Sequence, residues 1–147
     1  MPQRVLIVDD NESLAATVAD ILSESGFEVE VASSGAQALV AWRSRPADLV
    51  VVDVDLPDIG GLTVARRLLR RSAALVVTSA RDPERLIPMC EQLGAVFLAK
   101  PFSLSHLVAT IRLLFERRGW REALAAPEGR PPSRLLGPRK PRALLQH

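Results

Sequence analysis

Apolar residues along this chain recur in two alternating rhythms: short continuous runs, and longer stretches in which they return every three or four positions. The runs at 4–9 (Arg-Val-Leu-Ile-Val-Asp), 49–53 (Leu-Val-Val-Val-Asp), 74–78 (Ala-Leu-Val-Val-Thr) and 96–99 (Val-Phe-Leu-Ala) are too short for helices. Their length and β-branched content predict strands buried on both faces. Residues 28–32 alternate Glu-Val-Glu-Val-Ala instead, the pattern of an edge strand wet on one side. Helical spacing predicts a first helix over 12–25, with Leu14, Val18, Ile21 and Leu22 inward, and a second over 35–43, with Ala36, Leu39 and Val40 inward and Trp42 packed along its end. A third, over 62–71, buries Leu62, Ala65, Leu68 and Leu69 and exposes Arg66, Arg67, Arg70 and Arg71. A fifth, over 103–118, carries Leu104, Leu107, Val108, Ile111 and Phe115 at core spacing.

Turn and cap residues punctuate the pattern. Asn11 or Asp10 can cap the first helix, Gly26 ends it, Ser34 precedes the second and Pro46 stops it. Asp82-Pro83 offers an N-cap and a proline at the first position of the fourth helix, which ends near Gly94. Pro88 falls inside that helix and predicts a kink or a late start. Five strands alternating with five helices through short loops predict an α/β fold, a parallel doubly wound sheet. If the edge strand flanks the first, the order is 2-1-3-4-5, flavodoxin-like, with its switch point between the first and third strands.

Composition changes this picture at the C-terminus. The 147 residues are 48% hydrophobic, enough for one compact domain. The net charge of +2 hides −4 over residues 1–116 and +6 over 117–147, where five of the 11 prolines lie between Pro127 and Pro141. The expectation is a domain over 1–118 and a Pro/Arg-rich, disordered tail over 119–147. Such a tail is too short for a helix-turn-helix output domain, and nucleic-acid binding through it would be non-specific at most. Cys90 has no partner for an internal disulfide and reads as a buried small hydrophobe. No apolar run approaches a membrane span and no signal-peptide pattern opens the chain, so a cytoplasmic protein without membrane contact is expected.

Candidate chemistry sits at the strand ends: Asp9 and Asp10, Asp53, Thr78, and Lys100. In a parallel sheet the carboxyl ends of all strands point one way, so these groups converge on one crevice. Close carboxylates repel one another, and a divalent cation is the remedy. Magnesium suits hard oxygen ligands and commonly shares a phosphate oxygen. A lysine and a hydroxyl beside it are what a bound phosphoryl group needs.

On these residues the sequence resembles the receiver domain of bacterial response regulators, the CheY-like phosphorylated half of two-component signalling, over roughly residues 4–117. The matching pieces are Asp9-Asp10, Asp53-Val-Asp-Leu-Pro57 with Gly61 beyond, Thr78-Ser79, and Lys100-Pro101-Phe102. The resemblance implies that Asp53 accepts a phosphoryl group from a sensor histidine kinase or a histidine phosphotransfer protein. It implies Mg2+ held by Asp10 and Asp53, by the backbone carbonyl of Asp55, and by Asp9 largely through water. Lys100 would pair with the phosphate across a cis Lys100-Pro101 peptide, and Thr78 would donate its hydroxyl to a phosphate oxygen. Phe97 stands three residues before the lysine, at the family's switch position. The implied function is a single-domain response regulator or phosphorelay receiver that signals through contacts with a downstream protein, with no enzyme activity beyond its own phosphoryl transfer and loss. Against the family's common pattern, the connection from Gly94 to Lys100 is one residue shorter and the fourth helix, which precedes it, one residue longer.

Two rivals stand beside it. Asp53-Val-Asp55 also resembles the haloacid-dehalogenase phosphatase motif, with Asp53 as nucleophile and Asp55 as general acid/base, although that motif normally follows the first strand. A receiver-like docking module that takes no phosphate is the other. His106 is read as an exposed helix residue with no catalytic or metal role.

Overall fold

The computed structural model describes residues 2–68 and 74–125, with side chains as far as residue 117. In chain order the elements are β1 (Arg4–Val8), α1 (Glu12–Glu24), β2 (Glu28–Ala32), α2 (Gly35–Ser44), β3 (Leu49–Asp53), α3 (Gly61–Leu68), β4 (Ala74–Ser79), α4 (Pro83–Leu93), β5 (Val96–Ala99) and α5 (Leu104–Ala125). The chain divides into two units, Met1–Leu104 and Ser105–His147. The first holds a five-stranded sheet of order β2-β1-β3-β4-β5, parallel in every pair. This is the doubly wound order expected from the pattern.

Strand register explains the uninterrupted apolar runs. Val5, Ile7, Leu49, Val51 and Val76 point to one face, while Leu6, Val8, Val50, Val52, Leu75 and Val77 point to the other, and all are buried. The second set forms one core cluster with Ala38 and Trp42 of α2, Val64, Ala65 and Leu68 of α3, and Cys90 of α4. The β2 edge keeps its glutamates in use: the Arg4 guanidinium donates to Glu28 at 2.8 Å and to Glu30 at 2.9 Å. At the start of α1, Asn11 accepts from the Leu14 N–H at 3.1 Å, so Asn11 and not Asp10 is the cap.

Several expectations are corrected. The inward stripe of α2 is Gly35, Ala38 and Trp42, not Ala36, Leu39 and Val40; Ala36 is exposed, Leu39 only partly buried, and Val40 is 62% exposed. At Gly35 an added Cβ would lie 2.8 Å from Ile59 Cβ, so this turn of the helix must face its neighbour without a side chain. Trp42, on the same stripe, then buries far more area than Val40 would. Ala15 takes a buried place on α1, where Leu14 and Ile21 are only partly covered, and Val64 rather than Leu62 is buried in α3. Leu69, Arg70 and Arg71 lie outside the described residues.

The fourth helix starts at Pro83 and runs through Pro88 without a late start. Proline at the first turn removes a donor that has no intrahelical acceptor anyway, and Pro88 is exposed, so its ring meets solvent. Asp82 precedes the helix at φ 50 in the left-handed region and makes no capping bond through its side chain. The turn before it is closed instead by Ser79, whose hydroxyl accepts from the Arg81 N–H at 3.0 Å and donates to the Arg81 carbonyl at 3.1 Å. In the second unit, α5 continues through Arg118 and Gly119 to Ala125. Its buried positions among those predicted are Leu107, Ile111 and Phe115. Residues 126–147 of the expected tail lie outside the described residues.

Candidate functional site

The carboxyl ends of β1, β3, β4 and β5 deliver the polar groups to one edge of the sheet. Asp9 follows β1, Asp53 closes β3, Thr78 and Ser79 close β4, and Lys100 follows β5. Asp9 and Asp53 are each 5% exposed, and Asp10 is exposed. One carboxylate oxygen from each of these three aspartates lies within 4.8 Å of the others.

Lys100 is the hub of the cluster. Its ammonium donates to Asp9 Oδ2 at 2.8 Å and to Asp53 Oδ2 at 3.2 Å. Its own N–H donates to the Ser79 carbonyl at 2.8 Å, and its peptide bond to Pro101 is cis. The second oxygen of each buried aspartate takes a backbone donor: Asp9 Oδ1 accepts from Asn11 N–H at 2.9 Å, and Asp53 Oδ1 accepts from Asp55 N–H at 3.1 Å. Each carboxylate is thereby fixed in one orientation with lone pairs to spare. Three carboxylates against one ammonium leave negative charge uncompensated, and the donors are all hard oxygens, which fits Mg2+. A cavity of about 290 Å³ lined by Asn11, Leu14, Ala80, Lys100, Pro101 and Phe102 opens beside the lysine.

Burial pushes the Asp53 carboxyl above its ordinary value, and the Asp9 charge adds to this; the Asp55 N–H and Lys100 oppose without cancelling it. Burial alone would lower the Lys100 ammonium, but its hydrogen bond to Asp9 and the charges of Asp53 and Asp9 outweigh burial and raise it. The lysine therefore stays charged beside the two buried carboxylates.

The loop after β3 closes tightly on its own start. Gly61 N–H donates to the Val54 carbonyl at 3.0 Å, and a Cβ at Gly61 would lie 2.0 Å from the Asp53 carbonyl oxygen. Only glycine allows that approach. The Asp55 side chain forms an ion pair with the Arg81 guanidinium, which raises Arg81 above its ordinary value.

The two hydroxyls of β4 point to opposite faces. Thr78 pairs in register with Asp53 and shares its face of the sheet; its Oγ1 is buried and has no hydrogen-bond partner among the described residues. Phe97 pairs with Val77, and Ala99 with Ser79. Ser79, not Thr78, therefore shares a face with Phe97, which packs partly buried against the core cluster. The expected Thr78–Phe97 pair is thus split by strand parity. Arg81 and the position of Ser79 escaped the sequence reading; parity was visible only once the β4–β5 register was known, and no periodic pattern marks Arg81.

Residues 5–112 match the family profile of the response regulator receiver domain. The sensory transduction protein RegX3 of Mycolicibacterium smegmatis is 36% identical over 127 residues, which is 85% of this chain and 56% of that protein. The DNA-binding response regulator MtrA of Mycobacterium leprae is 36% identical over 119 residues, 80% of this chain and 53% of that protein. The chain thus spans about half the length of the curated relatives it matches. In fold it is similar to a CheY-like receiver domain protein from Methanospirillum hungatei, with a TM-score of 0.77 at 22% identity over 82% of this chain and 99% of that one. The phosphatase alternative finds no support here: Asp53 ends the third strand rather than the first, and the Asp55 carboxylate is committed to Arg81.

Proposed function

The chain belongs to the response regulator receiver family of two-component signalling, and from that premise we propose that Asp53 is its phosphoacceptor. The observation that carries this is the arrangement of Asp53 itself: buried, desolvated, held through one oxygen by Asp55 N–H and through the other by Lys100, with Asp9 and Asp10 alongside. An Asp53 oxygen attacks the phosphorus of a phosphohistidine on a sensor kinase or phosphotransfer protein. The P–N bond breaks and its electron pair leaves with the imidazole. Lys100 is placed to neutralise charge on the phosphoryl oxygens, and the unpartnered Thr78 hydroxyl is available to donate to one of them.

Receiver domains bind Mg2+ at an acidic pocket, and Asp9, Asp10 and Asp53 supply one here. With the Asp55 backbone carbonyl they are the residues proposed to hold the ion, Asp9 through water. Bound there, Mg2+ supplies charge neutralisation to the oxygens of the transferring group. Asp9 also keeps Lys100 in place through its 2.8 Å bond. Output is read as protein contact with a downstream target, with Phe97 as the switch residue and Ser79 as the hydroxyl on its face of the sheet.

The test is mass spectrometry after incubation with Mg2+ and acetyl phosphate, beside a receiver known to label. One phosphoryl group on the wild type, absent from D53N, is the expected result. No mass shift while the control labels would overturn the assignment and favour the phosphate-independent docking module. A shift that persists in D53N would move the acceptor elsewhere.

A further inference from the structure

Asp58 lies five residues beyond Asp53, on the far side of the same loop, and its carboxylate faces α2. Oδ1 accepts from the Gly35 N–H at 2.8 Å and Oδ2 from the Ala36 N–H at 2.9 Å. These are the first two amides of α2, which have no acceptor within the helix. The third, Gln37 N–H, donates to Ser34 Oγ at 3.1 Å, and the fourth, Ala38 N–H, to the Ser34 carbonyl at 3.0 Å. Capping of α2 is therefore shared between a local residue, Ser34, and a residue 22 to 23 positions away in sequence.

A second observation shows that the loop is seated against the helix rather than touching it through one side chain. A Cβ at Gly35 would meet Ile59 Cβ at 2.8 Å and Val64 Cγ2 at 3.1 Å. The loop is thus fastened at both ends: at its start by Asp55 N–H on Asp53 Oδ1 and Gly61 N–H on the Val54 carbonyl, at its tip by Asp58 on α2. Between these points lies the backbone of Asp55.

We propose that Asp58 is a positioning residue for the acidic site, tying the loop that carries the Asp55 backbone to the N-terminus of α2 so that the metal-binding and phosphoacceptor geometry is set before ligand arrives. The proposal rests on the reading of Asp9, Asp10 and Asp53 as the magnesium site. Ser34 supplies the control that separates positioning from stability, because S34A uncaps the same helix without touching the loop.

The experiment compares wild type, D58A, D58N and S34A as full chains, by amide hydrogen exchange, thermal melting and titration with MgCl2. Both alanine variants should melt lower. Only D58A should lose amide protection at residues 54–60 and weaken Mg2+ binding by about tenfold, the low end of what loss of a supporting contact costs a metal site. D58N, which keeps one acceptor oxygen, should fall between. Equal changes in D58A and S34A, or unchanged loop protection in a folded D58A, would overturn the proposal. If the wild type binds no Mg2+, the magnesium reading fails, and loop protection in D58A against S34A still decides whether Asp58 holds the loop.

Discussion

At the scale of single residues, Asp53 and Thr78 are polar groups held where burial disfavours them. Asp53 is buried, and desolvation together with the Asp9 charge disfavours its charged form more than the Asp55 N–H and Lys100 favour it. Removing that charge should relieve the fold: D53N is expected to abolish labelling while stabilising the protein by about 0.5–2 kcal/mol, read as a rise in Tm. Thr78 follows the same logic with a hydroxyl. Its Oγ1 is buried without a partner among the described residues, a condition that costs about 1–3 kcal/mol. The isosteric T78V should therefore melt no lower than wild type. It should also slow phosphoryl transfer about ten- to a hundredfold, the rate equivalent of a hydrogen bond to a charged group. Loss of transfer together with a lower Tm would mean that the hydroxyl is already satisfied in the resting protein.

At the scale of elements, α2 and α4 show where local rules bend to their surroundings. Asp58 is held below its ordinary value of 3.8 by the N–H groups of Ala36 and Gly35 at the head of α2. A depressed carboxylate stabilises the fold above its unfolded pKa and loses that contribution as pH falls through the folded value. The Tm difference between wild type and D58A should thus be constant from neutral pH to about pH 5 and shrink in more acid solution. A difference that grows in acid would exclude the charged cap. In α4, Pro88 is exposed inside a continuous helix, so it removes one backbone bond and offers no burial in return. P88A should stabilise by about 1–3 kcal/mol, checked by thermal melting.

At the scale of the molecule, the candidate site depends on a parallel sheet bringing residues from four separate strands to one edge. Lys100 joins Asp9 and Asp53 across that edge, donating to both carboxylates. A ligand that binds only this assembled edge must stabilise the whole fold. MgCl2 should raise Tm, with a stabilisation that grows as the logarithm of its concentration above Kd and reaches about 2.7 kcal/mol at a hundredfold excess, and D10N should reduce the effect. A Tm indifferent to Mg2+ but sensitive to ionic strength in general would argue against a site at Asp9, Asp10 and Asp53.

The sequence by itself determined the strands, their order along the chain and the polar residues that stand at their ends. β-branched runs such as Leu49–Asp53 admit one local structure, and a parallel sheet must gather whatever ends its strands. The inward face of α2 was not legible, because Trp42 and Gly35 are chosen over Val40 by the loop pressed against that helix. Nor were the Arg81–Asp55 pair, the Asp58 cap on α2, or the parity that puts Ser79 rather than Thr78 on the face of Phe97. Each joins residues about twenty or more positions apart. Local periodicity carries no information about such partners; only inter-strand register and loop closure, which are properties of the packed chain, decide them.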